Sequence, residues 1–430
     1  MNTINIILIM RFKNVVFFSP CKITGGAEYY FVRLAEYLAE NHNDIRVYYV
    51  EFLDGFARKV LSNPNVTILK YEEGHKTIIP DNSIICISLN FCIKMDEMAV
   101  YNRKNSVLMM WFMHYRHLVV NFTMNNYYKV SRRTRERVGR HLERLTDLGV
   151  LKFLGNLAYF KLSQQFLFKY HPIEALPIPI STDKYGADVP INRKIGDVIR
   201  FCWLGRLDKE KSLNVLTYMN ELEQVNKQHK VSFSIIGVGS QENMLKKRAK
   251  GYHFPIDFVG EKREDELDNF IRNHVDIGLA SGTSSIEFAL RKVPVIQDWL
   301  LEKVYSAGKR NSYHFIGKNS IIVSEGALKG FKYHDQGSFC MKLDDLLLDY
   351  HHYCEDVYQF AMNRSVAACG AKFLSALNYI DNVNIEECFF HIDAINKLIL
   401  QARTNWMERL HLRRIYVPIC KLFSVEQASI

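Results

Sequence analysis

Ile199-Arg-Phe-Cys-Trp-Leu204, followed by Gly205-Arg206-Leu207-Asp208-Lys209-Glu210-Lys211, is the stretch on which the reading of this chain turns. Its first six residues have the β-branched and aromatic content of a buried strand, and Gly205 ends it. A helix is expected over Ser212 to Asn226, so Arg206 and Lys211 fall where a strand hands over to a helix. Ligands of open α/β sheets bind outside the carboxyl ends of strands, and helix starts favour anions. A diphosphate is the group such a turn would hold. Taken alone, the same residues read equally well as an ordinary charged loop rim.

Working outward, the alternation continues. Strands are expected at Val231 to Ile236, Ile256 to Val259, Val275 to Ala280 and Pro294 to Gln297, with helices at Glu242 to Lys250, Arg263 to Asn273 and Ser284 to Arg291 between them. The first half has the same grammar. Strands fall at Asn14 to Ser19, Ile45 to Glu51, Val66 to Lys70, Ser83 to Ser88 and Ser106 to Phe112, and helices at Ala27 to Glu40 and Phe56 to Leu61. Short apolar runs alternating with helical patterns mean βαβ units and parallel sheets. The expected fold is therefore α/β, with two doubly wound, Rossmann-like domains. The first spans 1–185, a Pro- and Gly-marked linker 186–197, the second 198–385, and helices over 386–430 are expected to cross back to the first domain.

Three further features sit at strand ends. Ile236-Gly-Val-Gly239 lets a ligand or a neighbouring backbone approach closely, or is a plain turn. Gly260-Glu261 by itself reads as structural. Ala280-Ser281-Gly282-Thr283-Ser284-Ser-Ile-Glu287 runs from strand through a glycine loop into a helix. There Gly282, Thr283 and Ser284 would offer N–H groups and hydroxyls to an anion, and Glu287, one turn in, would accept hydrogen bonds from the vicinal hydroxyls of a ribose. An N-cap with an acidic first turn would look the same.

Composition narrows the class. The 430 residues are 48% hydrophobic and 24% charged, which are globular values for a two-domain chain. Nine scattered cysteines with no C-x-x-C pair suggest neither a disulfide framework nor a zinc site, so a reducing, cytoplasmic setting is expected. Met1 to Met10 is apolar but lacks a basic leader, and Arg11 and Lys13 stop it short of a span; Met10 is an alternative start. The net charge is +10, and between Tyr101 and Ala175 thirteen Lys or Arg face four Asp or Glu. Its densest part, Lys129 to Arg144, reads as a basic helix. That is either a solvated face or a surface for anions, lipid headgroups or a polyanionic acceptor. No pattern supports nucleic acid.

Taken in order, these pieces resemble the retaining glycosyltransferases of the GT-B fold, family 4, also called group 1. Gly25-Gly26-Ala27-Glu28 is similar to that family's strand, GG-x-E and helix opening, where glycine backbone approaches donor phosphate or acceptor. Leu176-Pro-Ile-Pro-Ile-Ser-Thr-Asp183-Lys-Tyr185 is similar to its "vipNGvD…F" segment. Arg206 and Lys211 match GR-x4-K, and Ser281 to Ile296 matches the terminal E-x7-E block followed by "PVI". The resemblance covers about residues 14 to 300. It implies donor contacts at Gly205, Gly237, Gly239, Gly260, Ser281, Gly282, Thr283, Ser284 and Glu287, and a histidine facing the transferred sugar at His114. From the residues alone, His114 beside Tyr115 and Arg116 reads equally as a rim residue, with Arg116 and His117 as rivals for the acceptor. One departure stands out: counting back from Glu287, the family's first Glu is replaced by Leu279. The nucleotide half of the site is kept and a sugar contact is lost, with Ser281 or Thr283 expected to stand in.

The resemblance implies transfer of a hexose-type sugar from a nucleotide-diphosphate donor to a saccharide or polyprenyl-linked acceptor, with retention, in cell-surface polysaccharide synthesis. Arg206 and Lys211 would stabilise the departing diphosphate, so no cofactor and no metal is expected. Peripheral attachment to the inner face of the cell membrane follows if the basic helix meets lipid. The alternatives are a non-catalytic nucleotide-sugar binder, which Leu279 motivates, and a sugar-nucleotide epimerase, whose carboxylate set is not evident.

Overall fold

The computed structural model describes residues 12–22, 28–88, 97–100, 105–112, 130–171, 173–182, 195–280, 282, 284–297, 301, 303–310, 313–317, 337–380 and 383–409. The chain forms two units, residues 1–180 with 366–430, and residues 181–365.

In the first unit the strands are β1 (Asn14–Phe18), β2 (Arg46–Glu51), β3 (Val66–Lys70), β4 (Thr77–Ile79), β5 (Ser83–Ser88), β6 (Met98–Val100), β7 (Val107–Phe112) and β8 (Leu151–Phe153). Its helices are α1 (Glu28–Asn41), α2 (Phe56–Val60), α3 (Arg132–Asp147) and α4 (Asn156–Phe166). Six strands make one parallel sheet in the order β3-β2-β1-β5-β7-β8, with β4 and β6 paired apart. A parallel strand covered on both faces needs a continuous apolar run. Val107–Phe112 supplies one, with all six residues buried.

The second unit repeats the plan with β9 (Val198–Leu204), α5 (Lys209–Val225), β10 (Lys230–Ile236), α6 (Glu242–Ala249), β11 (Ile256–Gly260), α7 (Glu264–His274), β12 (Ile277–Ala280), α8 (Ser284–Leu290), β13 (Val295–Gln297) and β14 (His314–Phe315). Helices α9 (Phe339–Leu348) and α10 (Tyr350–Met362) close it. The sheet order is β11-β10-β9-β12-β13-β14, parallel except for the antiparallel edge strand β14.

The last two helices, α11 (Val366–Tyr379) and α12 (Ile385–Arg409), belong to the first unit. The sequence reading placed this return at 386, whereas the chain has already returned at Val366, whose N–H donates to the Ile180 carbonyl at 3.0 Å. The reason is shape. Helix α11 presents Gly370 to α1, where an added Cβ would lie 2.1 Å from the Tyr37 ring, so the two helices meet at a distance only glycine permits. Phe373, three residues on, enters the core beside Phe17 at 5.9 Å and Trp111 at 6.1 Å between ring centroids. Helix α12 then lies on α3, with Arg144 paired to Glu387 at 2.7 Å and Nδ1 of His141 2.8 Å from that of His391.

The expected linker lies mostly outside the described residues, as do the side chains of the tail beyond Ala402. Among the described residues no helix is long and apolar enough to cross a membrane.

Candidate functional site

Connections leave β9 toward β10 on one side, while β12 flanks it on the other. That reversal is where doubly wound sheets bind ligands, outside the carboxyl ends of the strands. Leu204 at the end of β9 pairs with Ala280 at the end of β12, so the two motif-bearing loops leave the sheet side by side.

The first loop is built around the N-cap of α5, where Asp208 Oδ1 accepts from the Lys211 N–H at 2.9 Å. This cap turns the first helical residues back toward the strand end. A Cβ placed on Gly205 would lie 3.6 Å from Lys211 Nζ and 3.4 Å from the Trp203 ring, which locates the ammonium directly beside Gly205. Burial, and then the nearby charge of Arg206, lower the Lys211 pKa from the usual lysine range. Arg206 is 80% exposed and lies 3.5 Å from Asp208, a solvent-screened pair that leaves the guanidinium available to an anion. Lys211, whose charging is opposed by burial and by Arg206, is set to accept a multivalent anion beside it.

Gly237 and Gly239 make the close approach to a neighbouring backbone that their motif allows. A Cβ on Gly237 would sit 2.1 Å from the Gly205 carbonyl oxygen, and one on Gly239 2.5 Å from the Leu207 carbonyl. The Leu207 N–H donates to the Val238 carbonyl at 3.0 Å, and the Gln241 N–H to the Leu207 carbonyl at 2.9 Å. The two glycines therefore let one loop lie flat against the other and hold the backbone around Arg206. Changing Gly239 to alanine is expected to displace that backbone, lowering stability by about 1–3 kcal/mol by overpacking. A melting curve superimposable on the wild type would refute this. Gly260, whose carbonyl accepts from the Gly237 N–H at 2.8 Å, has φ +81 with open space around it, so its backbone conformation, not its size, requires glycine.

The second loop joins β12 to α8 in three residues, of which Ser281 and Thr283 lie outside the described set. Gly282 takes φ +66, and its carbonyl accepts from Ser285 Oγ at 2.6 Å and from Gln297 Nε2 at 3.4 Å. Ser285 and Gln297, neither of which the sequence reading singled out, thus fix the loop. Ser284 opens α8, but that helix has only seven residues and lends little dipole to an anion. Leu279 is an interior residue of β12, fully buried and paired with Trp203. The position is core, and a carboxylate there would be desolvated without a partner.

Glu287 is half-exposed on α8, and its Oε2 accepts from Arg291 Nη1 at 2.9 Å. Arg291 is buried and also meets Asp268 of α7. The four-residue spacing of Glu287 and Arg291 is a readable signal. The link to Asp268, on another helix, is not.

In the first unit, Gly25, Gly26, His114, Arg116 and His117 lie outside the described residues, and of Glu28 only the backbone, the first residue of α1, is described. The approach to the glycine loop is held by a residue the sequence did not flag. Glu51, fully buried at the end of β2, accepts from the N–H groups of Cys21 at 2.8 Å, Phe52 at 2.9 Å and Ala57 at 2.9 Å. Burial pushes its carboxyl up, and the three donors oppose that.

On α3, capped by Ser131, the seven cations expected from Lys129 to Arg144 are not equivalent, and Lys129 is not described. Arg132 pairs with Glu136, Arg144 with Glu387, and Arg135 donates to the carbonyls of Gln164 and Gln165. Arg133, Arg137 and Arg140 are exposed at helical spacing, and among the described residues no carboxylate pairs with them.

No protein-family profile matches the sequence, and no curated protein sequence matches it. Solved structures do. A glycosyltransferase from Rickettsia africae ESF-5 is similar with a TM-score of 0.52 at 13% identity, over 86% of this chain and 99% of that one. The lipopolysaccharide outer core galactosyltransferase WaaB, in its apo form, gives 0.50 at 11% identity, over 85% and 99%. At such identity the likeness speaks for the fold alone, two Rossmann-like units of the GT-B type.

Proposed function

We propose that this chain is a retaining glycosyltransferase that moves a hexose-type sugar from a nucleotide-diphosphate donor to a saccharide or lipid-linked saccharide acceptor, in the making of a cell-surface polysaccharide. The observation that carries the reading is the placement of Arg206 and Lys211 on one strand end and the Gly282 loop with Glu287 on the strand hydrogen-bonded to it. That arrangement suits a ligand with a diphosphate at one end and a ribose at the other.

In this reading the acceptor hydroxyl attacks the anomeric carbon from the face the diphosphate leaves, giving its proton to a departing phosphate oxygen. The carbon–oxygen bond to the donor breaks as the new one forms. Lys211 and Arg206 stabilise the charge that collects on the leaving group, and the backbone loops hold it in place. These two cations suffice for the diphosphate, so the reading calls for no metal and no cofactor.

A melting-temperature screen against UDP-, GDP-, ADP- and CMP-sugars tests the donor, because a ligand that binds only the folded chain raises its melting point. No shift with any of the four would sink the proposal. The buried Leu279 favours a second reading, a nucleotide-sugar binder without catalysis. Nucleotide released on mixing donor and acceptor separates the two.

The unpaired stripe of Arg133, Arg137 and Arg140 supports an acceptor presented on an anionic lipid surface, at the inner face of the cell membrane. Each such cation contributes about 1 kcal/mol near an anionic bilayer. Changing all three to glutamine is expected to abolish flotation with phosphatidylglycerol vesicles at low salt. Retention of the variant on those vesicles would remove the membrane from the proposal.

A further inference from the structure

Arg291 is a side chain the donor reading leaves unused. It is 1% exposed, and a guanidinium so far from water persists only when paired. Its Nε donates to Asp268 Oδ1 at 2.9 Å, and its Nη1 to Glu287 Oε2 at 2.9 Å and to the Glu287 carbonyl at 2.7 Å. Asp268 is held in turn by Arg272 at 2.8 Å. A planar fork fixed at several points fixes the carboxylate it grips. Glu287 nevertheless keeps 42% of its side chain exposed, so the carboxylate is clamped from within and reachable from outside.

We infer that Arg291 is a positioning residue, holding the Glu287 carboxylate in the orientation that receives the vicinal hydroxyls of a donor ribose. This rests on the donor reading and adds to it a three-residue relay, Asp268 to Arg291 to Glu287, that ties the ribose grip to α7. An unclamped glutamate on the short helix α8 would lose rotamer freedom each time a ligand bound. Arg291 removes that cost beforehand, which is preorganisation. The relay also explains why a full charge is buried here: Asp268 and Glu287 both neutralise it.

The experiment is titration calorimetry on the full chain with UDP, GDP, ADP and CDP, repeated with the 2′-deoxy form of the tightest binder. Wild type is expected to prefer the ribose form at least about tenfold, the loss of one hydrogen bond to a charged group. Arg291→Met is expected to bind both forms alike, Arg291→Lys to restore part of the preference, and Glu287→Gln added to Arg291→Met to cost nothing more. Because Arg291→Met leaves Asp268 with one partner fewer, the pair Asp268→Asn with Arg291→Met, which removes both charges, is measured as well and should behave as the single variant does. A merely structural role would weaken both nucleotides in parallel and keep their ratio, and that result overturns the inference, as does a wild type that binds a diphosphate without distinguishing its ribose. If no diphosphate binds the wild type, the donor reading itself falls and this inference falls with it.

Discussion

Alanine in place of Lys211 is expected to slow sugar transfer at least about tenfold, and alanine in place of Arg206 to do likewise. Charge-assisted hydrogen bonds to phosphate are roughly twice as strong as neutral ones, and about 1.4 kcal/mol at the transition state is already a factor of ten. The two variants should differ in kind. Lys211 is tucked against Gly205, while Arg206 is largely exposed, so the lysine should weigh more on kcat and the arginine more on KM. The lysine also carries a pH signature. Its pKa is lowered, so it loses its proton, and with it the charge that holds phosphate, at a lower pH than a free lysine would. Activity should therefore fall on the alkaline side of neutrality earlier than an ordinary lysine predicts, and Lys211→Arg, which stays charged, should move that limb upward. Steady-state rates with the donor found by the melting screen decide it. Unchanged turnover in either alanine variant removes this site.

The second large effect is on stability. Phe373→Ala should destabilise the first unit by about 3–5 kcal/mol, the range for emptying a fully buried aromatic position. The side chain is wholly buried against Phe17 and Trp111, rings supplied by the interior strands β1 and β7. Leu348→Ala, at a residue 90% exposed, should stay within about 0.5 kcal/mol and serves as the control. Urea midpoints for the two variants give the comparison. A Phe373→Ala midpoint close to that of the control would mean that α11 is not part of the core it fills here.

Much of this was legible in the residues. Strands such as Val107–Phe112 and Val198–Leu204 announce themselves by continuous apolar runs, and the turn at Gly205 by the glycine and the helix pattern after it. What escaped has physical causes. Strand β8 has three residues and β14 two, too few for any period to show. The task of Gly239 depends on the Leu207 backbone of a neighbouring loop, and that of Asp268 on an arginine just past the next helix, so neither is a local property of the sequence. The family pattern located Leu279 by counting, but only the strand register shows why no carboxylate stands there: the position faces Trp203 in the core. The return at Val366 turns on the fit of Gly370 to Tyr37, a complementarity between residues hundreds apart.

The first unit is made of two separated stretches, 1–180 and 366–430. On a ribosome adding about 5–20 residues per second, the segment between them takes on the order of ten to forty seconds to emerge. For that interval the β1 and β7 strands lack Phe373, and α3 lacks the helix that pairs its Arg144. The half of the protein synthesised first is thus the half completed last. A truncation after residue 365 would strike the unit that holds residues 1–180, and chaperone capture should be strongest on nascent chains that end just before residue 366.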